Sequence, residues 1–479
     1  MSENNTTPIP SESGADKKRK TRKDKELLSY IRQGKEMTRE EKLRLIVQMS
    51  IPSMLAQLSS IVMFFIDAAM VGSLGARQSA AIGLVESTTW LFGGLVSAAS
   101  MGFSVQVAHF IGANDFDKAR EVLRQGFTCT LIFSVTLMLT AMAIHSHLPY
   151  WLGGGSDIAH EASMYFLIFS CAVPMLQIES LSGSMLKCSG DMRIPSVLNV
   201  MMCVLDVVFN YFFIFVAGLG VVGAALGTLV AVATTAIAMM GFLVFKSKEL
   251  SLRHHGGSFR PTADCVRNAL KISAPMGLQQ ILMGGAQVMS TAIVAPLGNI
   301  AIAANTFAIT VESICYMPGY GIAEAATTLV GQSLGAGQRR LTRSFARISV
   351  GLGIAVMSAM AVLMYAFAPE MMSVMTPVED IRILGAEALR IEAFAEPMFA
   401  AAIVSYGVFI GAGDTMAPAA INLTCMWLIR LTLAALLAPT YGLQGVWTAM
   451  AIELTFRGLI FLIRMRKFPQ DKLLKSKSI

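Results

Sequence analysis

The stretch Phe65-Ile66-Asp67-Ala68-Ala69-Met70-Val71-Gly72-Ser73-Leu74-Gly75 closes an apolar run that begins at Leu45, and it places an acid inside that run. A run of about 20 apolar residues can cross the hydrocarbon layer as a helix. Its punctuation recurs 223 residues later: Pro52 pairs with Pro275, Gln57 with Gln280 and Gly75 with Gly298. The same offset superimposes Gly112 on Gly335, Pro174 on Pro397, Gly190-Asp191 on Gly413-Asp414 and Pro195 on Pro418. Six prolines lie in the first half, so chance predicts roughly 0.2 coincidences where three occur. The chain is an internal repeat of two hydrophobic halves. Many secondary transporters are built this way, with the substrate path between the halves.

Composition agrees. Apolar residues make up 54% of the 479 and charged residues 14%, with a mean hydropathy of +0.60. A soluble protein carries about 25% charged residues, and a soluble fold of this composition could not cover its surface. Twelve of the 38 Lys and Arg lie between Lys17 and Arg44, so much of the net charge of +7 sits in a tail suited to anionic lipid rather than nucleic acid. The seven cysteines are Cys129, Cys171, Cys188, Cys203, Cys265, Cys315 and Cys425, an odd count with no Cys-x-x-Cys, which disfavours a disulfide framework or a metal site. Residues 1–44 are expected to form a basic, mostly disordered tail, ending in a capping box at Thr38-Arg39-Glu40-Glu41.

Twelve spans can be marked, giving an all-α polytopic membrane protein of two six-helix lobes: 45–71, 79–110, 126–144, 162–186, 195–216, 222–245, 270–295, 301–329, 345–367, 386–410, 416–437 and 443–462. The expected division is an N-lobe at 45–245, a linker at 246–269, a C-lobe at 270–463 and a basic tail at 464–479. With the N-terminus in the cytoplasm, 33 of the 38 basic residues fall on the inner side, three outside and two within spans. That asymmetry places both termini in the cytoplasm and makes the repeats parallel.

An ionised side chain at the bilayer centre costs about 2.5 to 3.5 kcal/mol on insertion scales, so each intramembrane acid needs a reason. The first half carries Asp67, Glu86, Glu179 and Asp206 with no Lys or Arg inside its spans, Lys187 standing at an edge. The second half carries Glu312, Glu324, Glu392, Glu396 and Glu453 together with Arg430 and Arg457, and Glu453 precedes Arg457 by one turn. Asp67 corresponds to Ser290 and Asp206 to Ile429, so the halves share a fold and differ in chemistry. Span direction puts Asp67, Asp206 and Glu86 in the middle or outer part of the N-lobe. Carboxylates buried together without a basic neighbour hold a shared proton or coordinate Na+, and either can couple an ion gradient to motion. Asn199, Asn210, Gln177 and Glu179 are candidates to support such a network. The alternative role for each is a neutral polar contact between helices.

Other residues suggest a substrate cavity. Many of the 32 methionines lie in spans and suit a pliable lining, and Phe64 and Trp90 near the acids could stack on a cationic ligand. Gln57, Gln280 and Glu312 complete the expected cavity set. Gly34-Lys35 is followed by Glu36, so no phosphate-binding loop is present and a self-contained ATP-driven pump is disfavoured. No zinc-protease or haem-attachment motif occurs, which disfavours an enzyme.

The run Ser50-Ile51-Pro52 through Gly75, with Gln106-Val107-Ala108-His109-Phe110-Ile111-Gly112, Ser189-Gly190-Asp191, Leu205-Asp206-Val207-Val208-Phe209, Gly331-Gln332-Ser333-Leu334-Gly335-Ala336-Gly337 and Gly411-Ala412-Gly413-Asp414, resembles the multidrug and toxic compound extrusion (MATE) family. The resemblance covers about residues 45–462. It implies a V-shaped pair of lobes that alternates between openings and exports drugs or amphipathic organic cations against H+ or Na+. Asp67 and Asp206 match the acids of the damage-inducible-protein branch. Met202 stands where that branch often has Asn, and Gly284-Gly285-Ala286-Gln287 lacks the seventh-span Glu of another branch. The resemblance further implies a monomer in a bacterial inner membrane, with small molecules and lipid as partners, no nucleic acid and no cofactor beyond the transported ion. A lipid-linked precursor flippase of the same superfamily is the alternative, and it would want a cationic cavity.

Overall fold

The computed structural model describes residues 27–253 and 257–468. The tail before Leu27, the His254-His255-Gly256 part of the linker and the tail beyond Phe468 lie outside the described residues. Helix α1 covers residues 27–33. It corrects the expectation of disorder for the later part of the tail. Leu27 and Ile31, one turn apart, are buried against Leu45, Ile46 and Phe345, and Arg32 pairs with Glu249 at 3.2 Å. Two apolar residues at helical spacing are enough to dock an otherwise polar segment.

The first half runs α2 (Arg39–Ser73), α3 (Ala76–Gly112), α4 (Phe116–Ile144), the short α5 (Leu148–Trp151), α6 (Ser156–Cys188), α7 (Arg193–Tyr211) and α8 (Gly220–Gly241). The capping box forms as expected: Glu41 N donates to Thr38 Oγ1 at 3.2 Å and Thr38 N to Glu41 Oε2 at 2.9 Å. The second half runs α9 (Ala263–Val294), α10 (Asn299–Gly335), α11 (Arg339–Met375), α12 (Glu379–Ala393), α13 (Glu396–Gly411), α14 (Met416–Thr424) and α15 (Leu431–Arg466). No strand occurs among the described residues.

Two places decide the span count. The 51-residue stretch Met416–Arg466 would run about 76 Å as one helix, more than twice the hydrocarbon thickness of about 30 Å. It turns back at Gly442, whose φ of 58° and ψ of −140° suit only glycine, and Gly445 packs against the Leu437 carbonyl. That stretch is two spans. Helices α12 and α13 meet at 61° and together make one bent span. The repeat diverges here, since Pro174 lies inside the continuous α6 whereas its counterpart Pro397 opens α13. Twelve spans result among the described residues, six to each half.

Close packing uses small residues, as a bilayer offers no hydrophobic force between helices. Gly227 lies against Asn210, Gly407 against the Ala323 carbonyl and Gly458 against the Met398 carbonyl. Large apolar side chains such as Ile132, Val362 and Leu428 point outward instead. The first helix of each half packs on the second helix of the other, α2 on α10 and α9 on α3. This reciprocity is what parallel repeats about a two-fold axis require.

Candidate functional site

Asp67 on α2 and Asp206 on α7 meet in the first half. Asn210, one turn beyond Asp206, donates to both: its Nδ2 lies 3.1 Å from Asp67 Oδ1 and 3.0 Å from Asp206 Oδ2. The two carboxyl groups thus share one amide donor and stand within electrostatic reach of each other. Asp206 and Asn210 are buried, and Asp67 is half-buried. Gly227 makes the arrangement possible, because a methyl group there would collide with Asn210. Asn210 Oδ1 is buried without a donor. Among the described residues no Lys or Arg forms an ion pair with either acid. The site gathers carboxyl and amide oxygens suited to a proton or a hard cation.

Three expected supporting members of that network, Gln177, Asn199 and Glu179, lie elsewhere. Gln177 is buried but bonds across to α3, donating to Ser100 Oγ at 2.8 Å. Asn199 sits two turns before Asp206 on α7, about 10 Å down the helix, and lines the central cavity. Asn210 takes the role that Met202 leaves open, from one turn after the acid rather than one turn before. Glu86 is exposed and receives the Trp90 indole N–H at 3.4 Å, while Trp90 packs against Phe64 with centroids 5.2 Å apart. Tyr165 on α6, unremarked in the sequence, stands within electrostatic reach of Glu86, Asp67 and Asp206.

A cavity of about 570 Å³ lies between the halves. Gln57 and Gln280 line it, with Glu179, Lys187 and Asn199 from the first half and Tyr320, Glu324 and Arg457 from the second. Phe64, Trp90 and Glu312 are not on its wall. Glu312 is buried within the second half instead, because its turn of α10 faces α12 and α15. It lies within electrostatic reach of Arg430 and of Glu392. Glu453 pairs with the two arginines inside this half's spans, Arg430 Nε at 3.1 Å and Arg457 Nε at 3.0 Å. Glu392 and Glu396, flanking the α12–α13 bend, are fully buried and none of their oxygens has a hydrogen-bond partner. No cluster of three or more His, Cys, Asp or Glu side chains with metal-holding geometry occurs among the described residues.

The halves touch closely at the end where the N-terminal basic segment lies, here termed the basic end. Gly112 of α3 lies against the Gln332 carbonyl of α10, and Gly335 lies against the His109 carbonyl. His109 Nε2 is 2.8 Å from Gly411 O, and Gln332 Nε2 is 2.8 Å from Cys188 O. Sequence reasoning passed over His109 and Gln332, although the 223-residue offset pairs them.

The match to known proteins follows the same repeat. The family model for MatE matches residues 52–212 and again 275–436, two segments that begin 223 residues apart. The probable multidrug resistance protein NorM of Thermotoga maritima is 24% identical over 426 residues, covering 87% of this chain and 91% of that one. Human multidrug and toxin extrusion protein 1 is 25% identical over 438 residues, covering 88% of this chain and 74% of that one. A multidrug resistance MATE family transporter of the MOP superfamily, solved in an outward-facing conformation, shares the fold with a TM-score of 0.85 at 22% identity, over 91% of this chain and 97% of its own. A repeated family match on both halves, read with a two-fold packing that only such a repeat can make, places this chain in the MatE (multidrug and toxic compound extrusion) family.

Proposed function

We propose that the chain is a secondary multidrug exporter that exchanges amphipathic organic cations for H+ or Na+ by alternating access. The observation that carries this reading is the Asp67–Asp206–Asn210 site, two carboxyl groups that share one amide donor and have no basic ion-pair partner among the described residues. Two carboxyl groups gathered on one amide without a basic neighbour favour a proton, or a cation in its place, held by the pair. Loading and unloading that site biases the lobe arrangement, and the shift is limited by the difference in ion affinity between the two states. Residues 45–245 and 270–463 move as the two lobes, joined by the linker at 246–269. With both termini in the cytoplasm of a bacterial inner membrane, the contacts at the basic end close the cytoplasmic side and the cavity faces outward.

The relatives named as multidrug proteins support the substrate class, and the cavity's amides, tyrosines and carboxylates suit cationic head groups. A lipid-linked precursor flippase would instead present free basic groups to pyrophosphate. Lys187 and Arg457 do line the cavity, but Glu324 and Glu453 already bind them. The deciding experiment is uptake of a fluorescent cation into inverted vesicles with H+ and Na+ gradients imposed separately. Uptake driven by one gradient supports exchange; gradient-independent uptake, or none, removes it.

A further inference from the structure

One ion pair on the cavity wall joins the two halves and serves no role in the coupling site. Lys187 Nζ, from the last turn of α6, lies 2.8 Å from Glu324 Oε1 on α10. Gln57 of α2 donates to the same oxygen at 3.4 Å. Both donors come from the first half and the acceptor from the second, so the cluster can exist only while the halves meet at the basic end. Glu324 Oε2 has no hydrogen-bond partner. Glu179, two turns before Lys187 on the same wall, makes no hydrogen bond among the described residues and feels the Lys187 charge. Of the cavity's two basic groups, Arg457 is tied to Glu453, leaving Lys187 as the one that answers both wall acids.

We propose that Glu324 is a binding site for the cationic head group of the exported substrate, and that Lys187 is the protein's own replacement for that cation once the halves close at the basic end. When the halves part there, Lys187 and Gln57 move away from Glu324 and leave a carboxylate bare in a partly dry cavity, which is costly unless a cation takes their place. An organic cation entering from that side supplies it, with Glu179 as a second carboxylate nearby. When the halves close again, Lys187 returns to Glu324 and competes with the substrate for one carboxylate. The carboxylate is neutralised in both states, and the substrate is set free on the opposite side. Glu324 thereby selects for monocations, and Lys187 sets how fast they leave. This assignment rests on the exporter reading above.

The test uses the purified full-length chain in lipid nanodiscs, with ethidium as the probe, followed by fluorescence anisotropy and by export in proteoliposomes. Lys187→Met should tighten ethidium binding about ten-fold while slowing turnover, the order expected from removing one charge-assisted competitor. Lys187→Arg, which restores a cation, should return both towards the wild-type values. Glu324→Gln should weaken binding about ten-fold, and Lys187→Met added to it should no longer tighten binding. Unchanged or weaker ethidium binding in a monodisperse Lys187→Met protein overturns the assignment while leaving the exporter reading intact. Should Glu324→Gln not fold, the Lys187→Met and Lys187→Arg pair decides alone. If the wild-type chain neither binds nor exports ethidium, the exporter reading for organic cations fails and this assignment fails with it.

Discussion

His109 and Gln332 occupy equivalent positions in the two halves, and each donates to a backbone carbonyl of the other half, Gly411 O and Cys188 O, at 2.8 Å. The acceptors are themselves 223 residues apart, so the two bonds are images of each other. The His109 nitrogen facing a carbonyl must carry its proton, which fixes the tautomer. Together the bonds form a two-fold latch at the basic end.

The latch gives a first prediction. His109→Gln makes the two bonds chemically alike and should leave closure intact, whereas His109→Leu and Gln332→Leu should each weaken it by about 1 kcal/mol, the net contribution of one hydrogen bond. Closure can be read from a disulfide between Ala108→Cys and Gly331→Cys in an otherwise cysteine-free chain, because the Ala108 Cβ lies 3.0 Å from where a Gly331 Cβ would stand. Equal crosslinking rates in all four proteins would mean that the latch holds nothing.

Gly112 and Gly335 give a second, by steric means. A methyl group on either would meet the backbone of the opposite half, which cannot turn aside as a side chain can. Gly112→Ala or Gly335→Ala should therefore cost the closed state about 1–3 kcal/mol and lower the same crosslinking yield, with each half remaining folded. Gly72 and Gly284 have open space around them, so Ala at either should change nothing in that assay.

How much of this could be read from the chain depends on the range of the interaction. Spans, repeat and capping box are legible because apolar length, proline spacing and Thr38-x-x-Glu41 are local signals. Asp67 and Asp206 are legible because an acid inside an apolar run is costly wherever it points. Which amide serves them is not, because Asn199, Asn210 and Gln177 all sit in apolar helices and only helix rotation brings Asn210 to the acids. Lys187 reads as an edge residue until α10 brings Glu324 to it, a contact across 137 residues. Leu27 and Ile31 did carry a signal, masked by the surrounding lysines.

Glu453 carries a third prediction, on stability. It is fully buried and receives both Arg430 and Arg457, so Glu453→Leu leaves two cations facing each other without an acid between them. Removing one partner of a buried pair costs about 3–5 kcal/mol, and the loss should show as a lower unfolding temperature in detergent. Arg430→Leu should cost less, because Arg457 still neutralises Glu453. The opposite order would place the main constraint on Arg430.

The proposed coupling site gives the last. Asp67→Asn removes the half-buried member of the carboxyl pair, keeps its volume and leaves an amide that can still bond to Asp206. The protein should insert and fold as before, and gradient-driven export should be abolished. Asp206→Asn should do the same from the buried side, since neither carboxyl alone can share a proton or hold a cation between two oxygens. Asn210→Leu differs in kind. It deletes the amide that orients both acids, with hydrogen bonds to ionisable groups that contribute about 1.5–3 kcal/mol each, so coupling should persist at an apparent ion affinity lowered about ten-fold or more. The measurement is export rate against the concentration of the driving ion for each variant, beside circular dichroism and detergent stability. Full export by a well-folded Asp67→Asn protein would remove the carboxyl pair from the mechanism, and an Asn210→Leu protein with an unshifted ion dependence would reduce Asn210 to a packing contact.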